Sequence, residues 1–585
     1  MRKKEVFLLL SILALGAFLR FYQITEIPLG LYPDEAMNGN NAREALQTGN
    51  FKVFYPENNG REGFFINIQA ISLAVFGNEP WALRLISALF GTLTILSLFL
   101  LTKELFLSKD KAAASLAALD RGAGMVSPAG EERRDRVSSK SWLGILNVRE
   151  DAAALSIALL ASFFTATSYW HLNFSRIGFR AILVPFFATF GLYFLLKGIR
   201  RGTTFDFIAA GVFLGLGFHT YIAFRFMPLV IVIPLLAYLW RWWKDKEKSC
   251  APCTIFLFLF VVFVAVLPLT IYFLQHPEDI VGRSGQVSIF SAESPLKEFL
   301  KSTGLTLQMF FWQGDCNWRH NFNCQPQLHP LTAFFSLVGF SLLIARLIKK
   351  NSPYQPDYRG LASIVIPAWF FFMILPAALT REGLPHAIRS IGMIPPVMIF
   401  AGAGAWWIVS AILQWLQRQK EKWPQYHRQL SRIQRESVLL FVAILLLIPL
   451  HTYRTYFLKW AHHPETYFSL STDLLHLGQF LNGARNDVAK YVIVNLSGVA
   501  IRGIPAPAQT VMFATDTFTE EKRREKNIVY LLPQEVTDKL IVNEGQKVLI
   551  APLNGLDRNL IRTLKTRFPG LSAKATGDFV VMQNY

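Results

Sequence analysis

Two adjacent acids, Asp34 and Glu35, are the first candidates for chemistry in this chain. They follow the run PLGLYP at 28–33, directly after an apolar stretch at the N-terminus. A carboxylate in this position can act as a general base toward a hydroxyl or an amine. The alternative is the acidic first turn of a helix, where the helix dipole favours carboxylates without any chemistry. Both interpretations stay open at this point.

A set of mostly cationic residues lies partly in the same loop as the acid pair and partly near the outer ends of later apolar stretches. Arginine suits phosphate because its planar guanidinium donates two parallel hydrogen bonds. Arg176 and Arg180 are four residues apart and would share a face if their segment were helical. For any single cation the alternative is snorkelling to the membrane surface. The candidates for binding a donor phosphate or another part of a substrate are Arg61, Glu62, Arg176, Arg180, Tyr221, Arg225, His386 and Arg389.

Long apolar helices must position these residues. The chain has 585 residues, of which 52% are hydrophobic and 17% charged, whereas about 25% is usual for the charged fraction of soluble domains. This composition argues against an ordinary soluble enzyme. A span of the hydrocarbon core needs about 20 apolar residues. We expect about eleven spans, at approximately 5–22, 82–104, 152–170, 181–197, 205–223, 226–241, 253–274, 331–348, 361–379, 391–416 and 437–452.

The first apolar stretch, 5–22, is interpreted as a membrane span and not as a cleavable signal peptide. It is longer than the usual hydrophobic region of a signal peptide, which has about 7–15 residues. It also ends in Phe18-Leu19-Arg20 instead of small residues, and many further spans follow it.

The distribution of Lys and Arg predicts the orientation, because cytoplasmic connections accumulate these residues. Basic segments fall on one side, at 103–149, 197–201, 241–248, 346–359 and 418–435. The segment 23–80 on the other side contains seven acids and few cations. We therefore expect a multi-pass protein of the cell membrane with a cytoplasmic N-terminus. Much of the net charge of +19 then reflects orientation and does not indicate binding of nucleic acid.

The predicted organisation has two parts. Residues 1–452 form the membrane part, with outer loops at 23–80 and 275–330, and residues 453–585 form an extracytoplasmic domain. Segments of the tail that are typical of strands, at 491–495, 510–514, 527–532, 547–551 and 579–582, alternate with helical stretches at 519–526 and 557–566, which predicts a small α/β domain. Within 23–80 we expect one helix that starts at the acid pair and stops at Gly49, and a second apolar helix at 63–77 along the membrane interface. The stretch 120–140 is predicted to be a flexible insertion.

The four cysteines fit this map. Cys316 and Cys324 lie in the outer loop 275–330, where an oxidising space permits a disulfide. Cys250 and Cys253 lie on the inner side and are expected to be thiols at a membrane end, because a redox or zinc site would need a further motif. The loop segment 312–321 is aromatic and polar and can shape an acceptor site; a surface loop held by a disulfide is the alternative.

No Gly-rich nucleotide loop, HExxH motif or His/Cys metal set is apparent in the sequence. The candidates instead describe an outward-facing site at the membrane, with carboxylates on one side and phosphate-binding cations on the other. A lipid-linked phosphosugar would suit such a site.

Several of these residues also resemble a known family. The run PLGLYPDEA at 28–36, Arg61-Glu62-Gly63, Phe76-Gly77 and the arginines Arg20 and Arg84 resemble the N-terminal signature of the family 39 glycosyltransferases. This family includes protein O-mannosyltransferases and bacterial aminoarabinose transferases that act on lipid A. The runs SRIGFR at 175–180 and HAIRSI at 386–391 also look like bacterial members. The similarity covers about residues 1–400 and is most specific in the first loop.

The resemblance implies a polytopic α-helical membrane protein of the GT-C fold. It also implies an inverting transfer of a sugar from a polyprenyl-phosphate-linked donor to a protein, lipid or glycan acceptor on the outer side. Asp34 would be the catalytic base and Glu35 would support it. Gly63 departs from the commoner Arg-Glu-Pro of the second motif. The resemblance implies no metal held by the protein, although related GT-C enzymes use a divalent metal and two adjacent acids do not decide the point.

Two other classes remain as alternatives. A polytopic transporter or flippase of lipid-linked sugars explains the spans and the charges at their ends. It explains neither the long acidic first loop nor the tail, and no inverted repeats are evident. A lipid-binding scaffold without catalytic activity is the third interpretation, and the acid pair weighs against it. The expected partners are the lipid-linked donor, an acceptor and the lipid bilayer.

Overall fold

The computed structural model describes residues 3–107, 150–245, 250–348 and 358–585. The predicted insertion at 120–140 lies outside these residues. The α-helices of the membrane part are Lys3–Phe21, Pro33–Thr48, Gly63–Phe76, Pro80–Phe106, Glu150–Thr167, Tyr169–Phe174, Leu183–Arg201, Thr204–Gly217, Met227–Asp245, Ala251–Gln275, Glu278–Val287, Pro295–Gln308, Pro330–Ile348, Tyr358–Phe372, Leu375–Ala378, Ile394–Lys422 and His427–Tyr453.

Within these described ranges, eight helical segments are long and apolar enough to cross a membrane. They are Pro80–Phe106, Arg180–Arg201, Ile222–Lys244, Ala251–Gln275, Pro330–Ile348, Leu361–Ala378, Ile391–Lys422 and Pro424–Trp460. The other three predicted spans coincide with the helices Lys3–Phe21, Glu150–Thr167 and Thr204–Gly217. The last two are shorter apolar helices, and the first carries charges at both ends. The predicted polytopic helical architecture is confirmed.

Small residues allow close packing of two helices in the membrane part. Helix Pro330–Ile348 crosses helix Ile394–Lys422 where Gly339 faces the Phe400 carbonyl and Gly404 faces the Phe335 carbonyl. A Cβ at either glycine would overlap the backbone of the other helix. Close approach through small residues is a common way for helices to associate in lipid.

The C-terminal domain contains a five-stranded sheet. Its strands are β3 (Ala489–Ile493), β6 (Ile528–Leu531), β7 (Val548–Pro552), β8 (Ser572–Thr576) and β9 (Phe579–Gln583), and a two-stranded hairpin, β4 (Ala500–Ile501) with β5 (Ile504–Pro505), lies outside this sheet. The strand order is β6-β3-β7-β9-β8, with β3 parallel to β6 and β7, and β9 antiparallel to β7 and β8. The helices are Pro464–Ser469, Thr472–Gly483, Ala508–Thr515, Glu520–Lys526, Val536–Lys539 and Arg558–Arg567.

One strand predicted in this domain is wrong. Residues 510–514 belong to the helix Ala508–Thr515, and the strand β8 takes the fifth place in the sheet. This helix is buried on almost every side. A short helix that is buried all round has no polar face, so its sequence pattern is the same as that of a buried strand.

Candidate active site

The helix Pro33–Thr48 positions Asp34 in its first turn. Pro33 suits the first helical position because its ring fixes a helical φ, and Gly49 ends the helix with a φ of 71°. The Asp34 side chain is half-buried, and its Oδ1 accepts a hydrogen bond of 2.7 Å from Asn58 Nδ2. Asp34 is therefore held in place and remains partly accessible, as a general base must be.

Glu35 has different surroundings, although it is the next residue. It is fully buried, and its two oxygens accept hydrogen bonds of 3.1 Å each from Arg84 Nε and Nη2. The backbone N–H of Gly178 also donates to Glu35 Oε1. Arg84 in turn donates to the carbonyls of Pro28 and Gly30. Burial and these contacts let Glu35 hold the segment before Asp34 in position, and its expected support of catalysis at Asp34 stays a prediction.

Arg61 fastens a short hairpin to the same helix. The strand β1 (Phe54–Tyr55) pairs antiparallel with β2 (Arg61–Glu62). The buried Arg61 guanidinium donates hydrogen bonds of 2.7 Å to Asn38 Oδ1 and 2.5 Å to Asn41 Oδ1. These contacts orient β2, and with it the Glu62 side chain.

The pKa of the Arg61 guanidinium reflects burial and the charged groups around it. Burial is the main cause that lowers the pKa of the Arg61 guanidinium, to about 10, and the positive charge of Arg180 is the second. The negative charges of Glu57 and Asp34 oppose this shift. Asp34 and Arg180 are therefore both near enough to Arg61 to act on its charge.

Two further arginines share the Glu62 carboxylate. Arg180 Nε lies 2.9 Å from Glu62 Oε2, and Arg225 Nη2 lies 3.9 Å from Glu62 Oε1. The Arg180 guanidinium stacks over the Tyr221 ring at 5.4 Å. The side chains of Arg180 and Arg225 remain 20% and 32% exposed. The Glu62 carboxylate carries one negative charge, whereas Arg180 and Arg225 carry two positive charges. The two arginines therefore keep an excess positive charge that an anion can reach.

Arg176 is buried among backbone groups of the first helix and the turn after it, and phosphate binding by Arg176 stays a prediction. It is fully buried and donates to four backbone carbonyls, those of Leu19, Arg20, Gln23 and Ile27. It therefore ties together the C-terminal end of the first helix. The helix Tyr169–Phe174 ends before Arg176 and residues 177–179 are not helical, so the condition for Arg176 and Arg180 to share a helix face is not met.

His386 and Arg389 form contacts away from the Glu62 group. Arg389 Nη1 donates to Thr380 Oγ1 at 2.8 Å and to the Glu382 carbonyl at 2.7 Å. His386 Nδ1 lies 3.9 Å from Asp315 Oδ2. The structure brings Asp34, Arg61, Glu62, Arg180, Tyr221 and Arg225 together.

The second loop, 275–330, contacts the residue just before the helix Pro33–Thr48. A disulfide joins Cys316 to Cys324. The Arg319 guanidinium lies 3.8 Å from the centroid of the Tyr32 ring, two residues before Asp34. In contrast to the thiols predicted at the other cysteine pair, Cys250 and Cys253 are also joined by a disulfide. Their spacing of three residues at the start of a helix brings their Cα atoms to 5.3 Å, within the usual range for a disulfide.

The C-terminal domain covers the first loop. Thr510 Oγ1 donates to the Leu31 carbonyl at 2.9 Å. Arg43 donates two hydrogen bonds, of 2.8 and 2.7 Å, to the Asp516 carboxylate. Arg502 binds the Glu44 carboxylate with both terminal nitrogens and reaches Glu57 Oε1 at 3.1 Å. The domain thus contacts both the helix of Asp34 and the hairpin of Arg61.

Several site residues carry little signal in the sequence. Asn58 holds Asp34, and Asn38 and Asn41 hold Arg61. Asparagine is common in turns and helix ends, so its type and spacing do not distinguish these three from ordinary loop residues. In the sequence Asp315 and His320 are merely members of a polar loop, whereas in the structure they form, with His386, a group whose ligand atoms are close enough to hold a metal ion.

Comparisons with known proteins identify the fold. Residues 64–127 match the family model described as dolichyl-phosphate-mannose-protein mannosyltransferase. The crystal structure of ArnT from Cupriavidus metallidurans bound to undecaprenyl phosphate aligns with a TM-score of 0.53 and 14% identity, over 100% of this chain and 99% of that one. The chain therefore has the GT-C fold.

The apo structure of the same ArnT aligns in the same way, with a TM-score of 0.53, 13% identity, and coverage of 99% of this chain and 98% of that one. No protein with a curated description matches the chain by sequence. The GT-C fold and the matched segment together confirm the resemblance that the sequence motifs indicate.

Proposed function

We propose that the protein is an inverting glycosyltransferase that moves a sugar from a polyprenyl-phosphate-linked donor to an acceptor at the extracytoplasmic face of the membrane. The arrangement around Glu62 carries the proposal. Partly exposed Arg180 and Arg225 flank its carboxylate, and the partly accessible Asp34 lies on the helix to which Arg61 binds. A base next to an anion site is what transfer from a phosphate-linked sugar requires.

In the proposed reaction, Asp34 accepts the proton of an acceptor hydroxyl or amine as the acceptor atom forms a bond with C1 of the sugar. The bond from C1 to the phosphate oxygen breaks on the opposite face, and its electron pair leaves with the lipid phosphate. Arg180 and Arg225 stabilise the charge that develops on this phosphate. Buried Glu35 and Arg84 keep the segment before Asp34 in place.

Three features support a lipid-linked donor. The matched family model carries a dolichyl-phosphate sugar in its description, and ArnT, which has the same fold, was crystallised with undecaprenyl phosphate. The cations of the site also lie close to membrane-crossing segments, because Arg180 begins one of them and Arg225 lies within the next. A donor with its tail in the bilayer can present its phosphate there. Which sugar and which acceptor are used are questions for the assay.

The test uses the purified full-length protein in nanodiscs with a panel of labelled polyprenyl-phosphate sugars and their candidate acceptors. Asp34→Asn should reduce transfer at least a hundredfold while donor binding changes little, because the amide keeps the shape of the side chain. Arg180→Ala should weaken donor binding itself. Glu26→Gln, an exposed acid in the same loop, and Arg485→Ala, an exposed cation of the C-terminal domain, are the matched controls.

Full transfer by Asp34→Asn would exclude Asp34 as the base. Donor that crosses the bilayer without loss of its sugar, equally in the wild type and in Asp34→Asn, would favour the flippase interpretation instead. Donor binding that Arg180→Ala leaves unchanged would remove the Glu62 group from the phosphate site.

A further inference from the structure

Asp315, His320 and His386 form a second group of polar side chains, which we call the Asp-His cluster. Their ligand atoms all lie within 4.8 Å of one another. Asp315 and His320 are buried and His386 is half-buried. Two imidazoles and one carboxylate are a ligand set that zinc uses when its fourth position stays open to water or to another ligand. We propose that the protein binds one divalent transition-metal ion of the Zn²⁺ type through the Asp-His cluster.

The distances from the Asp315 carboxylate to the two imidazoles fit such an ion after small movements. Asp315 Oδ2 lies 2.8 Å from His320 Nδ1 and 3.9 Å from His386 Nδ1. Bonds of about 2.0–2.2 Å around a tetrahedral ion place neighbouring ligand atoms about 3.3 Å apart. His320 must therefore move away from the carboxylate by about half an ångström, and His386 must approach it by about as much.

Backbone groups already orient the carboxylate. The N–H of Asn317 donates to Asp315 Oδ1 and the N–H of Ala387 donates to Asp315 Oδ2, each at 2.8 Å. The Ala387 carbonyl in turn accepts a hydrogen bond of 3.1 Å from the buried Trp170 indole. A carboxylate oxygen can accept more than one bond, so Asp315 Oδ2 can keep the Ala387 N–H and bind an ion. Such supporting contacts are typical of metal sites.

The segment that carries Asp315 and His320 is tightly constrained. The disulfide between Cys316 and Cys324 closes it, and the Gly314 N–H donates to the Cys324 carbonyl at 3.0 Å. Asn321 Nδ2 also donates to the Asp315 carbonyl at 3.0 Å. Two of the three ligands are thus held in position before an ion arrives, which lowers the entropic cost of binding.

A hydrogen-bonded Asp–His pair that needs no ion is the competing interpretation. The C-terminal domain contains such a pair, because His476 Nδ1 lies 2.7 Å from Asp578 Oδ2 with Tyr467 as the third partner. The Asp-His cluster differs from this pair in the second imidazole, His386. His476 therefore supplies a matched control within the same chain.

The cluster lies next to the catalytic loop, but not at Asp34. The Phe179 ring contacts the His320 ring at 6.5 Å and the Tyr32 ring at 6.3 Å between centroids. An ion there would link the loop of His320 to the loop of His386, next to the helix of Asp34. Ion binding is inferred from the cluster alone and does not depend on the proposed function.

The test measures metal content in the purified full-length protein. The protein is stripped with a chelator, reloaded with Zn²⁺, freed of unbound metal and analysed by plasma mass spectrometry. The wild type and His476→Gln should retain one ion per chain. His386→Gln, His320→Gln and Asp315→Asn should each bind Zn²⁺ at least tenfold more weakly. The absorption spectrum of Co²⁺ in place of Zn²⁺ should show tetrahedral coordination in the wild type and in His476→Gln only.

His386→Gln decides the result if the variants of buried Asp315 and His320 fail to fold, because the side chain of His386 lies at the rim of the cluster. Uptake by the wild type that does not exceed that of His386→Gln overturns the proposal. Loss of the ion in His476→Gln with retention in His386→Gln overturns it as well. Transfer assays are not used here, so failure of this proposal leaves the proposed function unaffected.

Discussion

At the scale of single residues, Asp34 and Glu35 show how neighbours on a helix take different roles. Consecutive helical residues do not face one another, so one of the two acids can be buried while the other stays partly accessible. Glu35 is 0% exposed and bonded to Arg84, whereas Asp34 is bonded to Asn58 and half-buried. The acid pair therefore divides into a candidate base and an anchor.

The anchor gives a prediction for stability. Arg84→Met should lower the free energy of unfolding by about 3–5 kcal/mol, because Glu35 would remain as a buried carboxylate without its cation. The carbonyls of Pro28 and Gly30 would also lose a donor. Thermal unfolding in detergent measures this change.

Arg432→Met is the control for this prediction. Its pair with Glu436 is 2.8 Å long and mostly exposed, and exposed pairs contribute about 0–1 kcal/mol. Equal melting temperatures of Arg84→Met and Arg432→Met would contradict the role of Glu35 as an anchor.

Residue types alone predict only part of this site. The position of Asp34 after the first span and the Arg61-Glu62 pair are visible in the sequence. Arg176 and Arg180 look equivalent there, but Arg176 binds carbonyls at the end of the first helix while Arg180 binds Glu62. These partners are more than 100 positions away along the chain, and no local pattern encodes contacts of that separation.

At the scale of elements, the hairpin β1–β2 explains why glycine follows Arg61 and Glu62. The Gly63 N–H donates to the Val53 carbonyl at 2.7 Å. A Cβ at position 63 would overlap the carbonyl oxygen of Lys52. Proline, which is commoner at this position in the resembled family, lacks the N–H and carries a ring. The departure from the family motif therefore matches the close return of this chain's own hairpin.

Gly63→Ala should accordingly displace the hairpin from the helix Gly63–Phe76. Overpacking of this kind costs about 1–3 kcal/mol, and we expect at least tenfold weaker donor binding because Arg61 and Glu62 move with the hairpin. Gly483→Ala is the control, since a Cβ at that position meets no atom within 4 Å. Thermal unfolding and binding of labelled donor are measured together, and an unchanged melting temperature and affinity in Gly63→Ala would refute the close contact.

The elements themselves are largely predictable where their pattern is long. The apolar spans, the helix that ends at Gly49 and the helices at 520–526 and 558–567 follow from composition and periodicity. The pattern fails for residues 510–514, which are short and buried. The hairpin β1–β2 has only two residues in each strand, too few for a periodicity to be recognised.

At the scale of the whole molecule, the C-terminal domain is part of the frame of the site. Arg502, in the β4–β5 hairpin, binds Glu44 on the helix of Asp34 and Glu57 in the hairpin that carries Arg61. Glu57 directly precedes Asn58, the partner of Asp34. Loosening of the C-terminal domain would therefore disturb the position of the Asp34 side chain through these contacts.

Arg502→Ala should loosen the first loop without unfolding the protein. Loss of these partly exposed ion pairs should lower the free energy of local opening by about 1 kcal/mol. Hydrogen exchange in segment 54–62 should then be about fivefold faster. Arg524→Ala, whose pair with Glu520 is more than 80% exposed on both sides, should leave exchange in that segment unchanged. Identical exchange in the two variants would show that the domain does not support the loop.

The contact between Thr510 and Leu31 joins positions 479 residues apart. During synthesis the segment with the acid pair emerges before the domain that covers it. The first loop must therefore wait, with its polar groups incompletely bonded, until the C-terminal domain has been made. A nascent chain that still lacks this domain would not complete the frame around Asp34, so the site would assemble only after the domain has been translated.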